Sequence, residues 1–187
     1  MKKKSFWILL ICAVLLASSA LANTPYKTFT RSRDGNMIET QTAYEPVRTM
    51  IKFGDESLKT PADMRLGPDG LLYIADTGNK RIVVITTDGE FVKEIGSKKT
   101  LKSPKGVFVD DNGLIYVADE NGRAVVVFNQ DGEVVAEYEK PDHPLFGAEA
   151  PYKPVKVVVD KRGNLYVIST GNTNGIIQIS TSTEGGE

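Results

Sequence analysis

Few residues in this chain have the chemistry for covalent or proton-transfer work. There is one histidine, His143, and one cysteine, Cys12. A zinc site or a histidine base would have to be built around His143, and zinc normally takes several His or Cys ligands. Flanked by Asp142 and Pro144, that histidine reads as a solvent-facing loop residue. Two aspartates recur in matching surroundings, Tyr73-Ile-Ala-Asp76 and Tyr116-Val-Ala-Asp119. Carboxylates divide acid and base roles only where they converge on one substrate. A repeat produces equivalent aspartates without convergence, so their expected task is to bond backbone N–H groups of the following loop, as Asp does in turns. No complete enzyme active site emerges, and nothing calls for a metal or an organic cofactor.

Residues suited to binding are more plentiful. Lys98, Lys99, Lys102 and Lys105 crowd one segment, with Lys80 and Arg81 shortly before it. Such a cluster could hold an anionic ligand or cell-wall polymer, although exposed charge runs are commonly just solvated. A second segment gathers Tyr138, His143, Phe146 and Tyr152 with Asp142 and Glu149. Its rings could stack on a sugar or peptide, or they could plug a gap in the core. With Arg123 added, the candidate ligand-binding set is Lys80, Arg81, Lys98, Lys99, Arg123, His143, Phe146 and Tyr152.

The elements that must position these residues follow from a repeat. Pro61, Gly70, Tyr73 and Asp76 recur 43 residues on as Pro104, Gly113, Tyr116 and Asp119. A third copy runs from Pro154 through Gly163 and Tyr166 to Ser169, offset by 50, with the extra seven residues falling between Tyr138 and Pro154. A period in the forties with short apolar strands points to propeller blades. The first copy divides into strands over 62–66, 71–75, 81–86 and 90–95. Gly-Pro-Asp-Gly and Thr-Asp-Gly-Glu supply the tight turns, glycine providing the φ > 0 that a hairpin needs. The strands are rich in Val, Ile and Tyr, as half-buried β-structure prefers. An all-β array of four-stranded antiparallel blades is expected.

The stretch Leu71-Leu-Tyr-Ile-Ala-Asp-Thr-Gly-Asn-Lys-Arg-Ile-Val-Val-Ile85 resembles the NHL repeat, whose blades carry a Tyr-x-x-Asp-x-x-Asn-x-Arg-Ile run. The second copy keeps the Asp and a displaced Arg123. The third has Ser169 for the Asp, no Arg, and one extra residue before Ile176. The resemblance covers roughly residues 46–180 and implies a β-propeller. Such propellers close with about six blades, within the 4–8 typical of the architecture; three copies imply an incomplete, open array, expected to be a fragment of a longer protein, the rival being a half-ring completed by a second copy. The resemblance is loose for function, since these propellers serve as binding platforms, lyases and signalling domains alike.

Outside the repeat, Lys2–Lys4, an apolar run over 6–16 and Ala20-Leu21-Ala22 form a secretory signal pattern over residues 1–22. The run is short of the ~20 residues that span a bilayer, so membrane attachment would come only through an uncleaved signal anchor. Cys12 lies within it, leaving a mature fold held by its core without disulfides. Losing residues 1–22 removes three lysines and no acid, leaving 20 bases against 24 acids and a net charge of about −4. That balance is poor for nucleic-acid binding, which depends on neutralising phosphates. Residues 23–45 read as a hairpin around Arg33-Asp-Gly-Asn36, Val47–Phe53 as the fourth strand of a blade, and 181–187 as a truncated tail.

In a four-stranded blade, connections from fourth to first strands share a face with loops between second and third strands. Segments 97–103, 139–153, 77–80, 120–123 and 170–174 therefore belong to one rim. The expected function is an extracytoplasmic module, secreted, periplasmic or at the cell surface, presenting that rim to a carbohydrate, peptide or protein. The alternative is part of a metal-dependent lactonase- or lyase-like propeller enzyme whose site lies partly in other blades. Its first strands read Met64/Leu66, Val107/Val109 and Val157/Val159, with no polar ring facing a central channel. Self-association through open edges is a third possibility.

Overall fold

The computed structural model describes residues 27–40, 47–143, 150–171 and 175–180. Residues 1–49 and 50–187 form two compact units. The signal pattern, Phe146 and the tail lie outside the described residues.

In the first unit, β1 (Thr28–Arg31) and β2 (Met37–Thr40) pair antiparallel, Thr28 opposite Thr40. Gly35, at φ 84°, turns the chain between them. The expected hairpin is present over the described residues.

The second unit opens with β3 (Lys52–Phe53) and β4 (Glu56–Ser57), a two-residue-turn hairpin. The expected strand over Val47–Phe53 is corrected here. Gly54, at φ 63°, reverses the chain at once, so only Lys52–Phe53 is strand and it pairs forward with β4. Phe53 still does a fourth strand's packing, lying with Leu58 on Ile74, Val83 and Ile85.

Three blades follow. The first is β5 (Pro61–Leu66), β6 (Leu72–Asp76), β7 (Arg81–Ile85) and β8 (Phe91–Ile95). The second is β9 (Pro104–Val109), β10 (Ile115–Asp119), β11 (Ala124–Phe128) and β12 (Val134–Tyr138). The third has β13 (Pro154–Val159), β14 (Leu165–Ser169) and β15 (Ile176–Ile179). All pairings are antiparallel between consecutive strands, and there is no helix among the described residues.

Burial explains the composition of each strand. Strands β7, β10 and β11 are buried throughout, because each middle strand is covered on both faces; their runs of Val, Ile and Ala follow from that. The outer strands β8 and β12 are largely exposed and carry the charges. One core lies between the first and second blades, where Tyr73, Ile82 and Ile95 meet Val107, Ile115 and Phe128. A second lies between the second and third blades, where Tyr116 and Val125 meet Val157, Leu165 and Ile177. Each fully buried large side chain contributes roughly 1.5–3 kcal/mol of apolar transfer.

Candidate functional site

The rim is built on a repeated latch at the end of each blade's second strand. Asp76 Oδ1 accepts the Lys59 N–H at 2.7 Å, and its Oδ2 accepts Asn79 Nδ2 at 2.8 Å and Arg81 Nε at 3.0 Å. Asp119 accepts the N–H groups of Lys102 at 2.7 Å, Ser103 at 2.5 Å and Gly122 at 3.2 Å. In the third blade the Ser169 hydroxyl takes the Lys153 N–H at 2.7 Å. Both aspartates are buried; Asp119 accepts three backbone N–H groups, whereas Asp76 accepts one and spends its other oxygen on the side chains of Asn79 and Arg81. The expected bonds to the following loop are made by Gly122 N–H and the Asn79 side chain, and Lys59 and Lys102–Ser103 add the connection that precedes each blade. Gly122 must be glycine here, since a Cβ would sit 2.4 Å from Asp119 Oδ2.

The latches tie loop to connection at every blade: the backbone N–H groups of Gly78, Glu120 and Thr170 donate to the carbonyls of Lys59, Ser103 and Lys153. This places the 2–3 loops and the blade connections on one rim. Two depressions open along it. The larger, about 880 Å³, lies between the turn at Gly54–Glu56, the outer strand residues Phe91 and Glu94, and the loop carrying Lys98 and Lys99. Arg81 forms part of its wall. That guanidinium is buried and committed, donating through Nε to Asp76, through Nη1 to Glu94 Oε2 at 2.7 Å, and through Nη2 to the Glu56 carbonyl at 3.3 Å. Burial works against its charge, but Glu94 and Asp76 outweigh it and hold its pKa above the ordinary arginine value. Lys98 and Lys99 are exposed on the same depression.

The second depression, about 480 Å³, brings Arg123, Glu139 and Lys153 together with Tyr152. Of the two readings of Tyr152, a rim contact for a ligand or a plug between blades, its ring takes the second, lying in the core between the second and third blades. Its hydroxyl is buried without a hydrogen-bond partner, and burial pushes its pKa up to about 12. Lys80 and His143 line neither depression. His143 is exposed, and Phe146 lies outside the described residues. Among the described residues, no three His, Cys, Asp or Glu side chains come together as a metal-binding group.

Lys80 and Arg123 occupy equivalent left-handed positions, at φ 60° and 61°, immediately before the third strands of their blades. The corresponding residue of the third blade is Gly175, at φ 77°. A side chain there costs roughly 1–2 kcal/mol relative to glycine.

Three polar features were not expected from the sequence. Asp63 and Lys156, on the first strands of the first and third blades, form an ion pair at 2.6 Å, and Asp63 also accepts the Val107 N–H at 2.9 Å. The Arg65 guanidinium lies 4.7 Å from the centre of the Phe108 ring. Phe91 exposes an aromatic face in the larger depression. The expectation that Val107/Val109 and Val157/Val159 face a central channel is corrected by their burial in the two inter-blade cores. First-strand side chains alternate between neighbouring blades. The alternation of Asp63 and Arg65 with Met64 and Leu66 was the available signal.

Four-stranded antiparallel sheets, stacked face to face and latched along one rim, define the chain as part of a β-propeller. The NHL repeat model matches residues 58–85, which span β5 to β7 of the first blade. Among solved structures, the fold is similar to one described as streptogramin B lyase, at 20% identity and TM-score 0.51, over 84% of this chain and 49% of that one. It is also similar to a catalytically inactive virginiamycin B lyase from Staphylococcus aureus with quinupristin, at 16% identity and TM-score 0.55, over 88% and 58%. A Bacteroides caccae protein of unknown function matches at 13% identity and TM-score 0.52, over 82% and 55%. The chain thus spans about half the length of these structures. Comparison with curated protein sequences finds no match.

Proposed function

We propose that the protein is an exported binding module that presents its latched rim to an anionic ligand, a carbohydrate, peptide or protein segment bearing carboxylate or phosphate groups. The observation that carries this reading is the larger depression. It sets two exposed lysines and an exposed aromatic ring beside the buried Arg81–Asp76 pair, to which the exposed Glu94 adds a second carboxylate. A rigid scaffold with polar groups and one apolar surface in a concavity is how binding sites are generally built. Lys80 and Arg123 support the same reading, since cations are kept on the rim at positions where glycine would be conformationally free. The N-terminal signal pattern supports a location outside the cytoplasm.

Titration with polygalacturonate, a carboxylated polysaccharide, with neutral dextran for comparison, tests the proposal. The wild-type protein should bind the first and not the second. The K98E/K99E variant should bind roughly tenfold more weakly, with an unchanged melting temperature, at the order of 0.2–1 kcal/mol per exposed charge contact. Equal binding by wild type and variant, or none by the wild type, refutes it.

A further inference from the structure

We propose that the face opposite the latched rim carries a second binding site, which takes an apolar amino acid, its carboxylate on Arg65 and its ammonium group on Asp111. The site is a depression of about 590 Å³ where β5, β9 and β13 run towards the turns that end them. Arg65, Phe108 and Val159 reach it from those three strands, and Asp110, Asp111 and Asp160 from two of the turns. Its walls come from successive blades, so it is formed inside the array and not at either end of it.

Arg65 breaks the repeat. Its equivalents 43 and then 50 residues on are the apolar Phe108 and Val158. Asp63 breaks it too, where the next blades have Gly106 and Lys156, but Asp63 is answered within the fold by Lys156 and the Val107 N–H. Arg65 has no such answer: it is exposed, and among the described residues it makes no hydrogen bond or ion pair. What holds it is the Phe108 ring, itself only 9% exposed, whose centre lies 4.7 Å from the guanidinium carbon. A guanidinium held over an aromatic face keeps its N–H edges for another partner, and that planar fork matches a carboxylate through two parallel bonds.

Three carboxylates share the depression, and none pairs with Arg65. Asp110 accepts the N–H groups of Asn112 and Leu114 and the Tyr116 hydroxyl. Asp160 accepts the N–H groups of Arg162 and Asn164, the Asn164 side-chain amide and the Tyr166 hydroxyl. Asp111 is different, being exposed and without a partner among the described residues, and the same is true of Lys161. Arg65 and Lys161 against three aspartates leave the depression with both signs of charge and a net −1. A simple anion would meet repulsion from the acids, whereas a ligand bearing both signs is complementary to the whole depression. Phe108, Val109 and Val159 supply an apolar lining for the ligand's side chain, and an apolar concavity of this size with a few polar groups is how small-molecule sites are built.

Isothermal titration calorimetry of the purified chain with L-leucine, leucinamide and N-acetyl-L-leucine tests this. Leucine should bind, and each analogue, lacking one of the two charges, should bind at least about tenfold more weakly. R65A and D111N should each weaken leucine binding by a similar factor and leave the circular dichroism spectrum unchanged, since both side chains are exposed. R65K keeps the charge but loses the planar fork, and should bind leucine as weakly as R65A. No binding of leucine by the wild type, equal binding of either analogue, or full affinity in any of the three variants overturns the proposal.

Discussion

The larger rim depression contains two kinds of charge side by side. In its wall, Arg81 and Asp76 are buried and paired, with Glu94 closing the network. On its lip, Lys98 and Lys99 stand in solvent. The buried pair is bound to backbone of the segment that precedes the blade, through the Lys59 N–H and the Glu56 carbonyl. The exposed set has no such duty, and it can change without altering the scaffold. Charge in this repeat therefore divides by burial: the repeated carboxylates hold the backbone, and the unrepeated loop lysines stand in solvent, where the proposed ligand would meet them. The third blade extends the comparison. Ser169 replaces the aspartate there and still accepts the Lys153 N–H, so the backbone bond is retained where the charge is not.

Breaking the buried set should have the largest effect. D76A takes the buried carboxylate from Arg81, leaving its guanidinium on Glu94 and the Glu56 carbonyl, and leaves the Lys59 N–H without its acceptor; it should lower stability by about 3–5 kcal/mol, measured by urea unfolding. D119A leaves the Lys102, Ser103 and Gly122 N–H groups without their acceptor and should cost about 2–4 kcal/mol. Hydrogen exchange should then rise in the connection over 97–103. S169A removes one neutral acceptor and should cost only about 1 kcal/mol. If all three variants lost the same stability, the division between charged and neutral latches would fail.

Smaller effects sharpen the same contrast. Y152F removes a buried hydroxyl that has no partner and should leave stability unchanged or raise it by up to about 1 kcal/mol. Alkali should act through the tyrosines. Tyr73 is pushed up to about 12 by burial and by its bond to Asp69, Tyr116 by burial and Asp110, and Tyr152 by burial. Because the folded values lie above the ordinary 10.0, their contribution is complete below pH 10 and is lost as pH rises towards 12. Melting temperature should therefore be insensitive to these groups up to about pH 10 and fall above it.

Much of this architecture was legible because a repeat writes the same local physics several times. The turn glycines at Gly70 and Gly113, the Tyr-x-x-Asp ends of the second strands and the apolar middle strands located the blades to within a residue. The rim followed from strand alternation alone. What stayed hidden depended on residues far apart in sequence. Asp63 meets Lys156 across 93 positions, and their pairing requires β5, β9 and β13 to lie side by side. That approach needs Gly106, where a Cβ would come within 2.7 Å of the Val155 carbonyl. Tyr152 showed the limit for loop aromatics: its neighbours Pro151 and Lys153 fit either a rim or a core position, and only the packing of the third blade decides that its ring is buried. The aspartate latch was anticipated in kind, but its reach back to the preceding connection was not, because turn chemistry describes only the next few residues.

The claim that the rim binds anions is tested most directly by melting the protein with and without saturating polygalacturonate. A ligand that binds only the folded state raises the melting temperature by mass action. The wild type and S169A should both shift upward, while K98E/K99E should melt at the wild-type temperature without ligand and show a clearly smaller shift with it. An equal shift in K98E/K99E, or none in the wild type, would contradict the account.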